Sequence, residues 1–289
     1  MPSDLTFWVQ TIFNCLGLGG LMLLIAIGLN IIYGINRVIN LAHGSYYMAG
    51  AYIGITIYRY SGNFVLAVIG AAIALAILGI LMQRFIFTRL YGNHLGQVLL
   101  TFGFVFIIAD ISLMLWGGYA QNIPAPQLFQ GSTTIGEITF PTYRLLVIGV
   151  GLLIALFLWW FQEGTKVGAA VRAAVDDEEM SQAIGLNVPL TTTAVFGIGA
   201  ALAAIAGVLG GPFIGAYPGV DLEVLMLAMV VVIIGGVGSL KGAFVGAIVV
   251  GLLDNFGKVL FPELSVFTIF APMVIILAIR PSGLFGRTS

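Results

Sequence analysis

Residues 143–162 read YRLLVIGVGLLIALFLWWFQ, and Arg144 is the only charged residue among them. A membrane-spanning helix needs about 20 predominantly apolar residues, so this stretch is long enough to cross a bilayer. The whole chain has the same character, since 60% of its 289 residues are hydrophobic and only 8% are charged. A soluble domain carries about a quarter of its residues as charged side chains. The composition therefore predicts an all-α membrane protein, a polytopic helical bundle, rather than a soluble enzyme or a disordered chain.

Long apolar runs predict the membrane-spanning segments of this bundle. There are nine such segments, at 8–33, 38–58, 64–87, 95–116, 143–162, 191–216, 222–237, 242–260 and 264–280. The second, seventh and eighth are candidates for broken or re-entrant helices, so eight full crossings are an alternative to nine. The first segment lacks the positively charged flank of a signal peptide and is expected to be a retained span.

The distribution of Lys and Arg predicts the orientation, because loops on the cytoplasmic side carry an excess of these residues. With the N-terminus outside and nine crossings, the inside receives Arg37, Arg84, Arg89, Lys166, Arg172, Lys241, Arg280 and Arg287, whereas the outside receives Arg59, Arg144 and Lys258. The connector 117–142, whose only charged residue is Glu137, then lies outside. The charged connector 163–190 lies inside. One re-entrant segment would change this parity.

Several classes of function are disfavoured by residue content. The formal net charge of −1 offers no basic surface for nucleic acid. The single cysteine, Cys15, and two distant histidines give no metal site, and no catalytic set emerges. The only Gly-Lys pair is Gly257-Lys258, followed by Val259, so the chain lacks a phosphate-binding loop of the Gly-x-x-x-x-Gly-Lys-Ser/Thr form. If ATP drives this protein, another chain must bind it.

Small residues at four-residue spacing predict close helix packing, because apolar burial contributes little to helix association in lipid. They form a stripe in the sixth span and a pair in the eighth: Gly199, Ala203, Gly207 and Gly211, with Gly242 and Gly246. Packing within one subunit and a dimer seam along a central pathway are both compatible with this pattern.

Two polar, glycine-containing helix starts are candidates for the translocation pathway. The first contains Asn40, His43 and Ser45, and the second contains Gly238 and Ser239. Non-helical backbone at membrane depth is tolerated only where protein or a water-filled cavity surrounds it, and transporters present such helix ends to charged ligand groups. The alternatives are packing kinks without a ligand and, for His43, a histidine satisfied by neighbouring backbone.

Two acids lie within predicted spans, Asp110 in the fourth and Asp254 in the eighth. A charge there costs about 2.5–3.5 kcal/mol on insertion scales, so we expect Asp110 to face the bundle interior. Either acid is a candidate proton relay or a structural hydrogen-bonding group, and a third possibility for Asp110 is contact with water near the outer end of its span. A proton relay would suit a self-contained channel or a proton-coupled secondary transporter.

The inner connector 163–190 combines an alanine-rich stretch with the acidic run Asp176, Asp177, Glu178 and Glu179. The alanines favour helix, and Gly185 is a natural helix stop. We therefore predict a short amphipathic helix or helix pair on the inner face, suited to a groove on a soluble partner. The alternative is a solvated loop that only links two spans.

Four segments in order resemble the signatures of permease subunits of branched-chain amino-acid ABC importers, the LivH type. They are 34–52 (GINRVINLAHGSYYMAGAY), the connector with VRAAVDD and AIGLN, 234–243 (IGGVGSLKGA) and 280–287 (RPSGLFGR). Glycine-rich apolar stretches are common, but the four matches together cover nearly the whole chain.

The resemblance implies a single transmembrane permease domain over 1–289 in the inner membrane of a bacterium. It implies a second, LivM-type permease, two ATP-binding subunits that hold the ATP, and an external solute-binding protein. The connector 163–190 would be the coupling segment, with Arg172, the acidic run Asp176–Glu179 and Gly185 at the ATPase, although this run is more acidic than the family pattern. Relatives of this type differ in cargo, which includes amino acids, amides and urea.

Overall fold

The computed structural model describes residues 5–136 and 138–286, so Glu137 and Arg287 lie outside the described residues. Within those ranges the chain forms α-helices joined by short turns, with one small hairpin. The helices are α1 (Leu5–Asn36), α2 (His43–Ser61), α3 (Phe64–Phe85), α4 (His94–Trp116), α5 (Thr142–Gly164), α6 (Lys166–Asp176), α7 (Glu178–Ala183), α8 (Val188–Gly210), α9 (Val220–Gly235), α10 (Leu240–Leu260) and α11 (Ser265–Ile279). The fold is thus an all-α polytopic bundle, as predicted.

Seven helices in the described part of the chain are long and apolar enough to cross a membrane, namely α1, α3, α4, α5, α8, α10 and α11. The chain also passes between the two ends of the bundle through α2 and through α9, which gives nine passages. We call the end that carries α6 and α7 the inner end and the opposite end the outer end, following the orientation that the charge bias predicts. The N-terminal end of α1 is then outer and the C-terminal end of α11 is inner.

The passages through α2 and α9 are broken, as the sequence suggested for the second and seventh segments. Each begins with a non-helical leg, residues 37–42 before α2 and residues 211–219 before α9. Helix α2 begins near the middle of the bundle, because His43 at its start lies beside Ile25 and Gly28 of α1. Helix α9 begins at the same depth, because Asp221 in its first turn accepts from Ser45 of α2. The eighth predicted segment is a continuous helix, α10.

The two halves of the bundle are arranged in opposite directions. The leg 37–42 leaves the inner end and α2 continues outward, whereas the leg 211–219 leaves the outer end and α9 continues inward. The helices α1 and α8, which precede these legs, are antiparallel, since Leu21 packs near Gly210 while Gly28 packs against Gly199. The halves α1–α4 and α8–α11 therefore correspond as an inverted repeat, a common plan among transporters.

Helix starts are set by short polar side chains that accept the unpaired backbone N–H groups of the first turn. Asn63 caps α3, Asn93 caps α4, Asn187 caps α8 and Ser239 caps α10. These caps explain why spans of almost unbroken apolar sequence begin at defined residues.

Glycines place the central helices in close contact. A side chain on Gly199 would meet Gly28 and Ile32 of α1, and one on Gly207 would meet the backbone of Tyr47 in α2. The structure thus places this stripe in contacts within the chain. The predicted span continued to residue 216, but α8 ends at Gly210, and Gly211 lies just beyond it, next to Ile123 of the outer connector. Gly242 and Gly246 of α10 pack on the backbone of α9 in the same way.

The outer connector contains structure that the sequence did not predict. Strands β1 (Ser132–Ile135) and β2 (Ile138–Pro141) form an antiparallel hairpin, with Thr133 opposite Phe140. Gln121 and Ala216 exchange two backbone hydrogen bonds of 2.8 Å, which fasten the connector to the leg 211–219. The connector is therefore part of the outer wall of the bundle.

Candidate functional site

The starts of α2 and α9 meet in the interior of the bundle, and we call this contact the junction. Gly44 packs directly on the backbone carbonyl of Asp221, and the Ser45 hydroxyl donates to Asp221 Oδ2 at 3.0 Å. Asn40, His43, Ser45 and Asp221 are all at most 3% exposed. Since the N-terminus of a helix carries a positive partial charge, two such ends and one carboxyl group converge here.

Two backbone N–H groups of the leg 37–42 donate to side chains, whereas Arg37 N, at its start, still donates to Tyr33 O in the manner of a helix. Thr101 of α4 accepts from Leu41 N at 3.2 Å, and the Asn40 side chain accepts from Ala42 N at 3.1 Å. Arg37 adopts φ of 53°, uncommon for a residue other than glycine, and its guanidinium donates to Val175 O of α6 at 2.8 Å. The leg thus links the junction with the inner connector.

The His43 ring is fully buried beside α1. Its Nε2 donates to the Ile25 carbonyl oxygen at 3.1 Å, which assigns the proton to Nε2 and leaves Nδ1 as an acceptor. Nδ1 has no hydrogen-bond partner among the described residues. The bond to Ile25 fits the interpretation of His43 as a histidine satisfied by neighbouring backbone. The unbonded Nδ1 fits the other interpretation, in which His43 contacts the solute in the pathway.

Gly238 and Ser239 lie closer to the inner end than the junction does. Ser239 caps α10 by accepting from Gly242 N, and Asn30 of α1 accepts from Gly238 N at 2.9 Å. Gly238 is exposed. The structure therefore does not bring these two residues together with Asn40, His43 and Ser45, although α1 contacts both groups.

The two acids within the spans have different surroundings. Asp110 is exposed on α4, so the expectation that it faces the interior is wrong. That expectation treated the single chain as a complete bundle, whereas α4 leaves one face uncovered. Asp254 is buried and accepts from Lys258, one helical turn later, at 2.7 Å. No three His, Cys, Asp or Glu residues in the described part of the chain are grouped to hold a metal ion.

The inner connector forms a helix pair, α6 and α7, rather than one helix. Helix α6 buries Gly168, Val171 and Ala174 against the bundle. After α7 the chain turns at Gly185, where φ is 89° and Leu186 N donates to Ser181 O. This is the left-handed helix ending that glycine favours, and it places Gly185 in a turn as expected.

The acidic run has structural roles that the sequence did not reveal. Asp177 caps α7 by accepting from Met180 N at 2.9 Å, which is why the helix pair breaks there. Glu178 accepts from the Tyr91 hydroxyl at 2.5 Å, and this bond is the main reason that the pKa of Tyr91 rises to about 12. Asp176 and Glu179 are exposed, and Arg172 lies 3.7 Å from Glu163 within the same connector.

An exposed apolar pair was missed in the sequence. The side chains of Met180 and Ile184, at the inner end of the bundle, are 60% and 69% exposed. The spacing of four residues was visible, but nothing in the sequence indicated that neither side chain would be covered by the bundle. Asp221 and Asn30 were missed because their partners lie far away along the chain.

The matching family model is described as the branched-chain amino acid transport system / permease component, and it spans residues 11–277. The chain belongs to this family and is a multi-pass membrane protein.

Individual relatives cover nearly the whole chain. It is 28% identical to the high-affinity branched-chain amino acid transport system permease protein LivH of Escherichia coli (strain K12) and 30% identical to BraD of Pseudomonas aeruginosa, in both cases over 99% of this chain and 98% of the relative. It is 27% identical to LivM of Escherichia coli (strain K12), over 92% of this chain and 68% of that protein.

A solved structure shares the fold. PsaBC from Streptococcus pneumoniae, in complex with Fab, aligns with a TM-score of 0.51 at 16% sequence identity, over 93% of this chain and 91% of that chain. At this identity the likeness concerns the fold alone.

Proposed function

We propose that the chain is the permease subunit of an ABC importer that moves branched-chain amino acids inward across a bacterial inner membrane. A second, LivM-type permease would complete the passage, two ATP-binding subunits would hold and hydrolyse ATP, and an external solute-binding protein would deliver the solute. The observation that carries this proposal is the family match over residues 11–277. The named relatives LivH and BraD are permease proteins of high-affinity branched-chain amino acid transport systems.

The inner helix pair supports coupling to a soluble subunit. Met180 and Ile184 present apolar surface at the inner end, where the charge bias predicts the cytoplasm. The same helix pair is bonded to the rest of the bundle through Arg37 and Tyr91. A displacement of α6 would therefore act on the leg 37–42 and, three residues later, on Asn40 at the edge of the junction.

The proposal predicts that uptake of L-leucine into proteoliposomes requires ATP inside, the ATP-binding and partner permease subunits in the membrane, and the solute-binding protein outside. Uptake would be measured with radiolabelled L-leucine, with and without a proton gradient, for the chain alone and for the assembled transporter. Leucine uptake by the chain alone, driven by the proton gradient and indifferent to ATP, would support the secondary-transporter alternative and contradict the proposal.

The contact between Arg37 and Val175 predicts a coupling defect. We expect Arg37→Gln to lower ATP-driven uptake about five-fold, the size of effect of one surface contact of about 1 kcal/mol, while the ATP-binding subunits still co-purify. Arg84→Gln is the matched control, since Arg84 is also an exposed inner arginine at a helix end. Equal uptake in both variants would remove Arg37 from the coupling path.

A further inference from the structure

The outer end of the bundle contains a cavity that the junction and the coupling segment do not use. It has a volume of about 560 Å³, within the usual range for small-molecule sites. Its walls come from the outer connector, the start of α5 and the start of the leg 211–219, and its lining includes Asn122, Pro124, Pro141, Arg144, Pro212 and Phe213.

Arg144 supplies the charge of this cavity. The side chain is half-buried, with its aliphatic part packed on Gly17 of α1. Within the residues that the structure describes, the ion pairs are Arg172–Glu163 and Lys258–Asp254, and no hydrogen bond uses the Arg144 guanidinium. A partly desolvated guanidinium that has no acceptor among the described residues is suited to bind a carboxylate, which it holds in a two-pronged geometry.

The other walls select for an apolar body. Three prolines and Phe213 form rigid apolar surface around the cation. The neighbouring Tyr143 hydroxyl is already committed, because it donates to the Leu209 carbonyl at 2.7 Å. Asn122 is also part of the lining, and an amide oxygen can accept from an ammonium group.

We propose that this cavity is a binding site for a small apolar carboxylate, a branched-chain amino acid, with its carboxylate on Arg144 and its side chain against the prolines and Phe213. The site rests on the proposed function and adds a stage to it, since a solute held there is next to the leg that leads to Asp221. A carboxylate on the surface of an external protein could bind Arg144 through the same chemistry, so the test compares binding of free leucine with retention of that protein.

The test uses the full chain in nanodiscs of phosphatidylcholine, without the external binding protein, and measures binding of radiolabelled L-leucine by equilibrium dialysis. We expect 4-methylpentanoate, which keeps the carboxylate and the carbon skeleton, to compete with leucine, and L-leucinamide not to compete. Arg144→Gln should weaken leucine binding about tenfold or more, and Arg144→Lys should weaken it less. Arg59→Gln is the control, because Arg59 is an exposed arginine at the same outer end.

Two further arms repeat the comparison of wild type and Arg144→Gln, one by measuring retention of the external binding protein and one by replacing part of the phosphatidylcholine with phosphatidylglycerol. Four results would overturn the site. The first two are leucine binding unchanged in Arg144→Gln and effective competition by leucinamide. The other two are retention of the external protein lost in Arg144→Gln while leucine binding persists, and an effect of Arg144→Gln that depends on phosphatidylglycerol but not on leucine. The two proposals fail separately. ATP-driven uptake by a transporter whose chain binds no leucine would overturn this site and leave the proposed function, whereas Arg144-dependent leucine binding with proton-driven, ATP-independent uptake would do the reverse.

Discussion

Replacing Gly44 with alanine is expected to disrupt the centre of the bundle. A Cβ at this position would overlap the Asp221 carbonyl oxygen and lie 2.8 Å from Leu225 Cβ, so α2 and α9 must move apart. Overpacking of this kind costs about 3 kcal/mol, which corresponds to a loss of about 5–10 °C in melting temperature. The variant would be assayed by thermal unfolding of the purified chain in detergent and by ATP-driven uptake, which we expect to be largely lost.

Gly103→Ala is the matched control for this substitution. Gly103 lies in the span α4, and no neighbouring atom is within 4 Å of its added Cβ. Because alanine is a better helix former than glycine by about 1 kcal/mol, the control is expected to unfold at the same temperature or slightly higher. Equal melting temperatures for Gly44→Ala and the wild-type chain would show that the two helix starts are not in contact.

Removing the hydroxyl of Ser45 is expected to weaken the same junction through chemistry rather than volume. Ser45→Ala leaves Asp221 Oδ2, which is buried, without the donor that it has at 3.0 Å. A buried polar group that loses its partner costs about 1–3 kcal/mol, and we expect uptake to fall at least tenfold because the site itself is altered. Ser61→Ala, at the exposed end of the same helix, is expected to change neither quantity.

A double-mutant cycle separates this bond from the individual side chains. In the Asp221→Ala background, Ser45→Ala should cost little more, because its partner is already absent. The coupling energy between the two positions, from unfolding measurements, is expected to be about 1–2 kcal/mol. Additive effects within about 0.5 kcal/mol would contradict a direct interaction across the junction.

Sequence patterns predicted the membrane class, the broken second and seventh passages and the helix start at His43, because these depend on local composition. Depth in the bundle is not local, and Gly238 and Ser239 show this, because the structure places them apart from the group of Asn40, His43 and Ser45. A glycine-rich helix start is the same in sequence whether it turns near one end, as Ser239 does, or breaks a span in the interior, as His43 does. The contacts with α1 distinguish the two helix starts, since His43 lies beside Ile25 and Gly238 lies beside Asn30, nearer the inner end.

The acidic residues show two kinds of contact that the sequence analysis did not identify, one that spacing could have revealed and one that it could not. Lys258 is four residues from Asp254, so their pairing on one helical face was available from spacing alone. The pairing of Asp221 could not be found from spacing, because its partner Ser45 lies 176 positions earlier in the chain. Asp110 was assigned to the interior because a charge in lipid is costly. That cost requires polar surroundings for the carboxyl group, but it does not require that this chain provides them.

The distance along the chain between the two helix starts has a consequence for synthesis. Ser45 leaves the ribosome 176 residues before Asp221, so the growing polypeptide enters the bilayer with one half of its polar contact missing. The acceptor of His43, the Ile25 carbonyl, precedes it in the chain, whereas the acceptor of Ser45 belongs to the second half of the translation product. A nascent chain that stalls in between therefore carries a polar helix start whose Ser45 hydroxyl has no Asp221 to which it can donate.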